Sequence, residues 1–307
     1  MTPPLPSRFE QQPTKSHGLT LVPAPAPRYS ALALWHLLSL DAPTVAALWT
    51  YFIARCCHVS LPWTAAAAMF LAVWMLYATD RLLDARHGNT SELEERHRFH
   101  HLHKRGFLTG IVCASIALAC LLPRVEPTAL RLYALLASLL FAYFFLIHIY
   151  PSNLSPAQNL RRLPKELAVG VFFPAAIFIP TVARAPQLRL PLLPVAVLFA
   201  AVCTLNCLYL YAWEHPGSHS SAHWTTRFAT RNLPLLTILT LSCAAISMIV
   251  SRFFVGAPNA PLSLACDLSA TVLLGLHFQR KRFTPIHLRA AADLALLTPL
   301  LLLPFAR

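Results

Sequence analysis

Long apolar runs separated by short polar breaks fill the chain from residue 31 onward. Most runs are near the length of about 20 residues that an α-helix needs to cross a lipid bilayer. Prolines stand close to the ends of the runs, where they disturb a helix least. The pattern predicts membrane-spanning helices at residues 31–54, 63–83, 107–123, 128–150, 166–183, 191–213, 232–251, 261–278 and 289–304.

The composition agrees with this pattern. Of the 307 residues, 56% are hydrophobic and only 12% are charged, and the mean hydropathy is +0.55. Charged residues make up about 25% of an ordinary soluble domain. Residues 1–28 are rich in proline and lack an apolar run, so we expect a disordered cytoplasmic tail and no signal peptide there. The predicted fold class is all-α, with residues 29–307 forming one polytopic membrane domain of nine transmembrane helices.

The basic residues are distributed unequally between the two sides of the predicted bundle. The formal net charge is +13, and 18 of the 25 Lys and Arg residues lie in the N-terminal tail or around the loops after even-numbered spans. Because positive loops stay in the cytoplasm, we expect a cytoplasmic N-terminus and a C-terminus on the opposite side. The location of the Lys and Arg residues between spans favours membrane lipid as a partner and argues against nucleic acid. The Ala-, Leu- and Arg-rich composition favours a bacterial inner membrane.

Two carboxylates stand at the end of the second predicted span. Asp80 and Asp84 are four residues apart, so on a helix both point to the same side. Such a pair needs a nearby cation, and Mg²⁺ prefers oxygen ligands and bridges carboxylates to phosphate groups. Arg81 lies between them and carries a guanidinium that fits phosphate. The alternative interpretation is a solvated helix end with an incidental acid–base pair.

The sixth predicted span carries polar residues on one stripe. Asn206 and Glu214 are eight residues apart, and Glu214 lies at the cytoplasmic end, level with Asp84. Polar groups inside membrane helices are costly and often functional. The neighbouring Tyr211 fits either an interfacial aromatic belt or the wall of a cavity.

The motif "DRLLD" at residues 80–84, followed by "ARHGNT", resembles the end of the first Asp-rich motif of the UbiA superfamily of intramembrane prenyltransferases. That motif reads N-D-x-x-D-R-x-x-D and ends the second helix. The resemblance extends to nine helices, to long cytosolic loops after helices 2 and 6, and to "RRLPKELAVG" at residues 161–170. It implies a helical bundle around a central cavity that opens to the cytosol.

The resemblance also implies a reaction. Family members use two Asp-rich motifs to hold Mg²⁺ on a polyprenyl diphosphate, and they transfer its prenyl group to a lipophilic, usually aromatic, acceptor. On this chain, Asp80, Asp84 and Glu214 correspond to metal-binding and catalytic residues. The expected substrate-binding residues are Arg81, Arg162, Lys165, Asn206, Tyr77 and Tyr211, and Trp74 is a further expected channel residue. The chain departs from the motif where the leading Asn-Asp falls on Leu76 and Tyr77, which removes one carboxylate.

Two other functions fit parts of the sequence. The histidines in "HRFHH" at residues 97–101, together with His103, His215, His219 and His223, resemble the iron-binding boxes of membrane di-iron oxygenases. The same histidine-rich segment also reads as an amphipathic helix on the membrane surface. The missing carboxylate at Tyr77 favours a third function, a non-catalytic or lipid-binding UbiA-like protein.

Three aspartates lie inside predicted spans. Asp41 precedes Pro43, so it is expected either to satisfy backbone groups at a kink or to orient an acceptor. Asp293 follows Arg289 by one turn, which predicts a local ion pair. Asp267 has no evident partner within its own helix.

Overall fold

The computed structural model describes residues 29–84, 95–149, 165–215, 224–253 and 259–305, and within these ranges all regular structure is helical. This confirms the all-α prediction for the described part of the chain. The α-helices there are α1 (Ala31–Leu37), α2 (Asp41–Cys56), α3 (Trp63–Asp84), α4 (Glu95–Leu102), α5 (Lys104–Leu121), α6 (Pro127–Ile149), α7 (Lys165–Arg184), α8 (Arg189–Glu214), α9 (Trp224–Arg231), α10 (Leu233–Phe253), α11 (Asn259–Gln279), α12 (Pro285–Leu294) and α13 (Pro299–Leu302).

Seven described segments are long and apolar enough to cross a membrane. They are Trp63–Leu83, Lys104–Arg124, Glu166–Arg184, Pro186–Glu214, Leu233–Ser251, Ala260–Arg282 and Pro285–Phe305. Each overlaps a predicted span, so the multi-pass membrane character of the chain is confirmed. Helix α6, Pro127–Ile149, covers the predicted fourth span.

The first predicted span is broken. Instead of one helix over residues 31–54, α1 and α2 meet at an angle of 88° around residues 38–40. Ser39 has a positive φ of 58°, which is unfavourable for a residue other than glycine and requires support from its surroundings. Asp41 and Pro43 then begin α2, where an acidic residue and a proline are both well tolerated. The bend brings the end of α1 back onto the start of α2.

Helices α2 and α8 occupy the middle of the bundle. Helix α2 packs against α3, α7, α11, α12 and α13, and α8 packs against α7, α10, α11 and α12. Between them Trp49 stacks on Phe199 with ring centroids 3.9 Å apart, and its indole Nε1 donates a hydrogen bond to the Leu296 carbonyl at 2.8 Å. The largest buried hydrophobic cluster surrounds this stack.

The outer helices expose large apolar side chains. Ile116 on α5, Phe141 on α6 and Ile249 on α10 are each about 60–70% exposed. A groove of about 1140 Å³, lined mainly by apolar residues of α7, α8 and α10, runs along the same outer surface. An extended apolar surface of this kind suits contact with lipid hydrocarbon chains.

Candidate functional site: a buried charged cluster

Five polar side chains from five helices meet inside the bundle. We call the buried polar cluster the group formed by His36 of α1, Asp41 of α2, Arg81 of α3, Asn206 of α8 and Asp293 of α12. Charged groups inside a membrane protein cost several kcal/mol unless they are paired, and they commonly mark functional sites. This cluster is therefore the candidate site of the described residues.

Asp41 is the most completely paired member. Its Oδ1 accepts a hydrogen bond from the Ala42 backbone N–H at 2.9 Å, at the positive N-terminal end of α2. Its Oδ2 accepts from Arg81 Nη2 at 3.2 Å and lies 2.5 Å from His36 Nδ1. The side chain is only 2% exposed. Asp41 therefore anchors the cluster, and the structure seals it from any ligand.

Arg81 fastens the bend between α1 and α2. In addition to Asp41, its Nη1 donates to the His36 carbonyl at 2.6 Å and to Ser39 Oγ at 3.1 Å. The Trp74 indole Nε1, about two turns earlier on α3, donates to the Leu38 carbonyl at 3.0 Å. Two side chains of α3 thus donate to backbone carbonyls at the end of α1, where the regular hydrogen bonding of the helix stops.

His100 of α4 completes the support of the bend. Its Nε2 lies 3.0 Å from Ser39 Oγ, and its ring stacks on Phe107 with centroids 4.1 Å apart. His100 is fully buried in this arrangement. His103 Nδ1 pairs with the Phe99 carbonyl at 2.9 Å. His100 and His103, two histidines of the predicted iron-binding segment, therefore take part in packing. Among the described residues, neither belongs to a group of side chains that could hold a metal ion.

Asp293 is the open member of the cluster. Its Oδ1 accepts a hydrogen bond from Asn206 Nδ2 at 3.1 Å, and its Oδ2 lies 3.7 Å from His36 Nδ1. The side chain keeps 16% of its surface exposed. Tyr77 of α3 is also only half-buried where it packs against the main core.

The predicted local ion pair on α12 is replaced by contacts between helices. Arg289 forms an ion pair with Glu214 at the end of α8, and Asp293 faces His36 and Asn206 instead. The prediction of an Arg289–Asp293 pair was wrong because α12 packs between α1, α2 and α8, which supply nearer partners.

Two buried polar atoms of the cluster have no hydrogen-bond partner among the described residues. They are His36 Nε2 and Asn206 Oδ1. His36 is 2% exposed and Asn206 6% exposed, so solvent does not satisfy these atoms from outside. A buried polar group without a partner costs about 1–3 kcal/mol, and such groups often indicate a place for a ligand.

His36, Asp41 and Asp293 also have the geometry of a possible cation site, because their ligand atoms lie within 4.8 Å of one another. Imidazole and carboxylate groups together suit Zn²⁺, Mn²⁺ or Fe²⁺. However, Arg81 already neutralises one of the two carboxylates. One proton neutralises the other, whereas a divalent ion leaves an excess positive charge beside the guanidinium. The charge balance favours one proton within the group of His36, Asp41 and Asp293 over a metal ion.

The other predicted site residues are distributed around this cluster. Asp80 is half-buried on α3, directly before Arg81, and Asp84 ends the same helix. Glu214 ends α8 and is paired with Arg289, and Tyr211 stacks on His215 with centroids 4.6 Å apart. The residues that lie outside the described part of the chain are Arg162, His219 and His223, together with the side chains of Asp84, His97 and Lys165.

His36 is the member that the sequence did not single out. A histidine inside an apolar run, five residues before an aspartate in the same run, was the available signal. Its importance depends on the bend at residues 38–40, which places it against Asp41.

Comparison of the chain with known families, with curated proteins and with solved structures gave no match.

Proposed function

We propose that this membrane protein transfers a prenyl group from a polyprenyl diphosphate to a lipophilic aromatic acceptor in a Mg²⁺-dependent reaction. The proposal includes a bundle of nine spans whose site faces the cytoplasm. The observation that supports it most is that the two segments expected to hold the donor are joined through the buried polar cluster. Arg81, the neighbour of Asp80, connects through Asp41, His36 and Asp293 to Asn206 of α8.

A second contact supports the same convergence. Glu214 at the end of α8 pairs with Arg289, which lies one turn before Asp293 on α12. The ends of α3 and α8 therefore lie toward the same end of the bundle as the start of α12. The predicted distribution of Lys and Arg puts this end in the cytoplasm, where a water-soluble diphosphate group is available.

Asp80 and Asp84 suit Mg²⁺ by donor type and by helix geometry. Both are carboxylates at the end of α3, one turn apart, and Asp80 is half-buried rather than sealed. When bound there, Mg²⁺ neutralises negative charge on the departing diphosphate. Glu214 fits less well, because its carboxylate is already paired with Arg289 and must exchange that partner to become a ligand.

The basic residues divide into two roles in this proposal. Arg162 and Lys165, near the start of α7, are assigned to the diphosphate. Arg81 was expected to do the same from the sequence, but its guanidinium is committed to Asp41, Ser39 and the His36 carbonyl. We assign Arg81 a positioning role, because it fixes the end of α3 that carries Asp80.

The test is equilibrium binding of radiolabelled farnesyl diphosphate to the purified full-length protein in nanodiscs, with Mg²⁺ or with EDTA. We expect Mg²⁺-dependent binding to the wild type and a loss of at least about tenfold in affinity for Asp80→Asn, which keeps the side-chain shape and removes the charge. Asp267→Asn, another aspartate substitution in a membrane helix, is the matched control and should bind as the wild type does.

Three outcomes contradict or narrow the proposal. Absence of Mg²⁺-dependent binding to the wild type contradicts it, and equal affinity of the wild type and Asp80→Asn contradicts the site assignment. Binding without diphosphate release in the presence of a phenolic acceptor points to a non-catalytic binding protein. The Glu214–Arg289 ion pair favours this second function, since it withholds one of the three proposed metal ligands.

A further inference from the structure

We propose that the outer surface of the bundle binds one anionic phospholipid, with its phosphate group at Arg227 and Arg231 of α9 and its acyl chains in the groove between α7, α8 and α10. We call this groove the outer groove. The inference goes beyond the proposed reaction and does not depend on it, because it uses none of the residues assigned to Mg²⁺, to the diphosphate or to the buried polar cluster.

Helix α9 carries two aromatic and two basic side chains on one face. At 3.6 residues per turn, Trp224, Arg227, Phe228 and Arg231 fall within an arc of about 100° around the helix axis. All four residues are exposed, whereas Thr226, on the far side of the helix, is buried. The helix is therefore fixed to the protein through its threonine side. The outward face combines aromatic rings with guanidinium groups, as helices at the boundary between lipid hydrocarbon and headgroups do.

The two arginines of this face have no protein carboxylate to neutralise them. Among the described residues, arginine ion pairs involve Arg81 and Arg289, and neither Arg227 nor Arg231 takes part in one. The two arginines are four residues apart, so their side chains are neighbours on the helix surface. A guanidinium presents several N–H donors in a plane that matches a phosphate group, so the pair is suited to an anionic phosphate ligand.

Helix α9 lies at one end of the outer groove. Thr226 Oγ1 is 3.5 Å from Oε2 of Glu166, the residue directly before Leu167 of the groove. Helix α9 also packs against α8 and α10, and Arg231 is five residues before Leu236, the first groove residue of α10. The start of α7, the end of α8 and the start of α10 therefore meet at α9. The distribution of Lys and Arg predicts that this end faces the cytoplasm.

The outer groove is suited to hydrocarbon chains. It extends along α8 from Pro191 to Leu208, a distance of about 26 Å at 1.5 Å per residue, which is close to the thickness of about 30 Å of a bilayer's hydrocarbon core. The hydroxyl groups that line it already take part in hydrogen bonds within the protein, and they belong to Thr204, Thr240, Ser247 and Ser251. An apolar groove that ends at two guanidinium groups matches a phospholipid with an anionic headgroup.

The experiment is a lipid titration of the purified full-length protein in a neutral detergent, followed by native mass spectrometry, which resolves the first bound lipid. The two lipids are dioleoyl phosphatidylglycerol and dioleoyl phosphatidylcholine, which have the same chains and differ in the charge of the headgroup. The measured quantity is the ratio of their dissociation constants for the first lipid, phosphatidylcholine over phosphatidylglycerol. We expect a ratio of about tenfold or more for the wild type, because two guanidinium groups favour the anionic headgroup.

Two double variants locate the headgroup. Arg227→Gln with Arg231→Gln should lower the ratio several-fold, because the neutral amides lose the charge that selects phosphatidylglycerol. Lys281→Gln with Arg282→Gln is the matched control, since it removes two exposed positive charges that follow α11 and do not belong to α9. Trp213 Nε1 donates to His277 Nδ1 at 3.1 Å, which places the end of α11 beside the end of α8. The control should keep the wild-type ratio.

Two single variants locate the acyl chains. Leu239 and Ile238 are neighbours on α10 and are each 52% exposed, but only Leu239 lines the outer groove. Leu239 is six residues from the start of α10, about 9 Å along the helix, so it lies in the half of the groove next to α9. Leu239→Trp should weaken binding of the first phosphatidylglycerol several-fold by filling the groove. Ile238→Trp adds the same ring outside the groove and should leave this affinity unchanged.

A wild-type ratio near one overturns the inference, and so does a high ratio that the Arg227 and Arg231 double variant keeps or that both double variants lose equally. Equal affinities of Leu239→Trp and Ile238→Trp overturn the assignment of the chains to the groove. Glycerophosphoglycerol, the same headgroup without acyl chains, should not displace the lipid at an equal concentration. Displacement would show that the arginines bind a soluble phosphate compound instead. A high ratio that falls only in the Arg227 and Arg231 double variant, with weaker binding only in Leu239→Trp, supports the inference.

Discussion

Asp41 and Asp293 belong to the same cluster and share His36, yet their environments differ sharply. Asp41 begins a helix, pairs with Arg81, accepts from the Ala42 N–H and is closed to solvent. Asp293 lies within α12, is held by the neutral Asn206 amide and keeps part of its surface open. Two carboxylates with such different surroundings commonly divide their roles, one structural and one chemical.

The two aspartates differ in their fixed partners, and the carboxylate without a guanidinium partner is the one that keeps an accessible surface. A helix N-terminus and a guanidinium together make Asp41 part of the scaffold. Asp293 has no ion pair with a Lys or Arg among the described residues, and the nearest ring nitrogen, His36 Nδ1, lies 3.7 Å from its Oδ2. Substitutions in the two parts of the cluster should therefore differ in their effect on stability.

Replacing Arg81, the cation that pairs with the sealed Asp41, should lower the stability of the protein most. Arg81→Met keeps the aliphatic stem but leaves Asp41 buried without its ion-pair partner, which costs about 3–5 kcal/mol. We expect a strong loss of unfolding free energy, measured by denaturant titration in detergent. The double variant Arg81→Met with Asp41→Asn should lose less than Arg81→Met alone, because the uncompensated charge is gone. A double variant that is less stable than the single one contradicts the assignment of Asp41 and Arg81 as a pair.

Loss of the Asp41 charge alone should come next. In Asp41→Asn the Arg81 guanidinium and His36 lose an ionic acceptor, and we expect about 1.5–3 kcal/mol of destabilisation. The same denaturant titration measures this change. Stability equal to that of the wild type would show that Asp41 is not the anchor of the cluster.

The hydrogen bonds of Ser39 that support the bend should contribute less to the unfolding free energy than the Asp41 charge does. Ser39→Ala removes the hydroxyl that accepts from Arg81 and pairs with His100, and we expect a loss of about 1–2 kcal/mol. Ser242→Ala is the matched control, because it removes an exposed hydroxyl of α10 that donates to the Ile238 carbonyl of the same helix. A loss for Ser39→Ala no larger than the loss for this control contradicts a special role for the bend.

Replacing Asp293, the more exposed carboxylate of the cluster, should change the stability of the protein least. Asp293→Asn keeps a hydrogen-bonding side chain of the same shape and breaks no ion pair with Arg81, so we expect a loss of about 1 kcal/mol or less. The pair Asp41→Asn and Asp293→Asn is thus the sharpest comparison within one site. If Asp293→Asn destabilises the protein as much as Asp41→Asn does, the distinction between a sealed, structural Asp41 and a more open Asp293 is wrong.

Much of the fold was predictable because lipid imposes long apolar helices, and the hydropathy pattern records them directly. A kink at Pro43 was expected, but the 88° bend at residues 38–40 was not predictable. Residues 38–40 read "LSL", with neither glycine nor proline, and the positive φ of Ser39 depends on Arg81 and His100, which are 42 and 61 residues away in the chain. Contacts over such separations leave no local signal.

The candidate site was predictable only in its parts. Asp41 and Asp293 stood out as aspartates within apolar runs, but their partners come from other helices. Arg289 is an example: its spacing along the helix predicted an ion pair with Asp293, but the packing of the helices gives it Glu214 as its partner. The roles of Asp80, Asp84, Arg162 and Lys165 at the diphosphate stay predictions.

The most direct test of the central claim is a turnover assay with radiolabelled farnesyl diphosphate and para-octylphenol, using the wild type and Asp80→Asn in nanodiscs. The account predicts diphosphate release and a prenylated phenol for the wild type with Mg²⁺, neither product with EDTA, and at least about a tenfold lower rate for Asp80→Asn. A wild type that forms no prenylated product, or an Asp80→Asn variant with the wild-type rate, would contradict it.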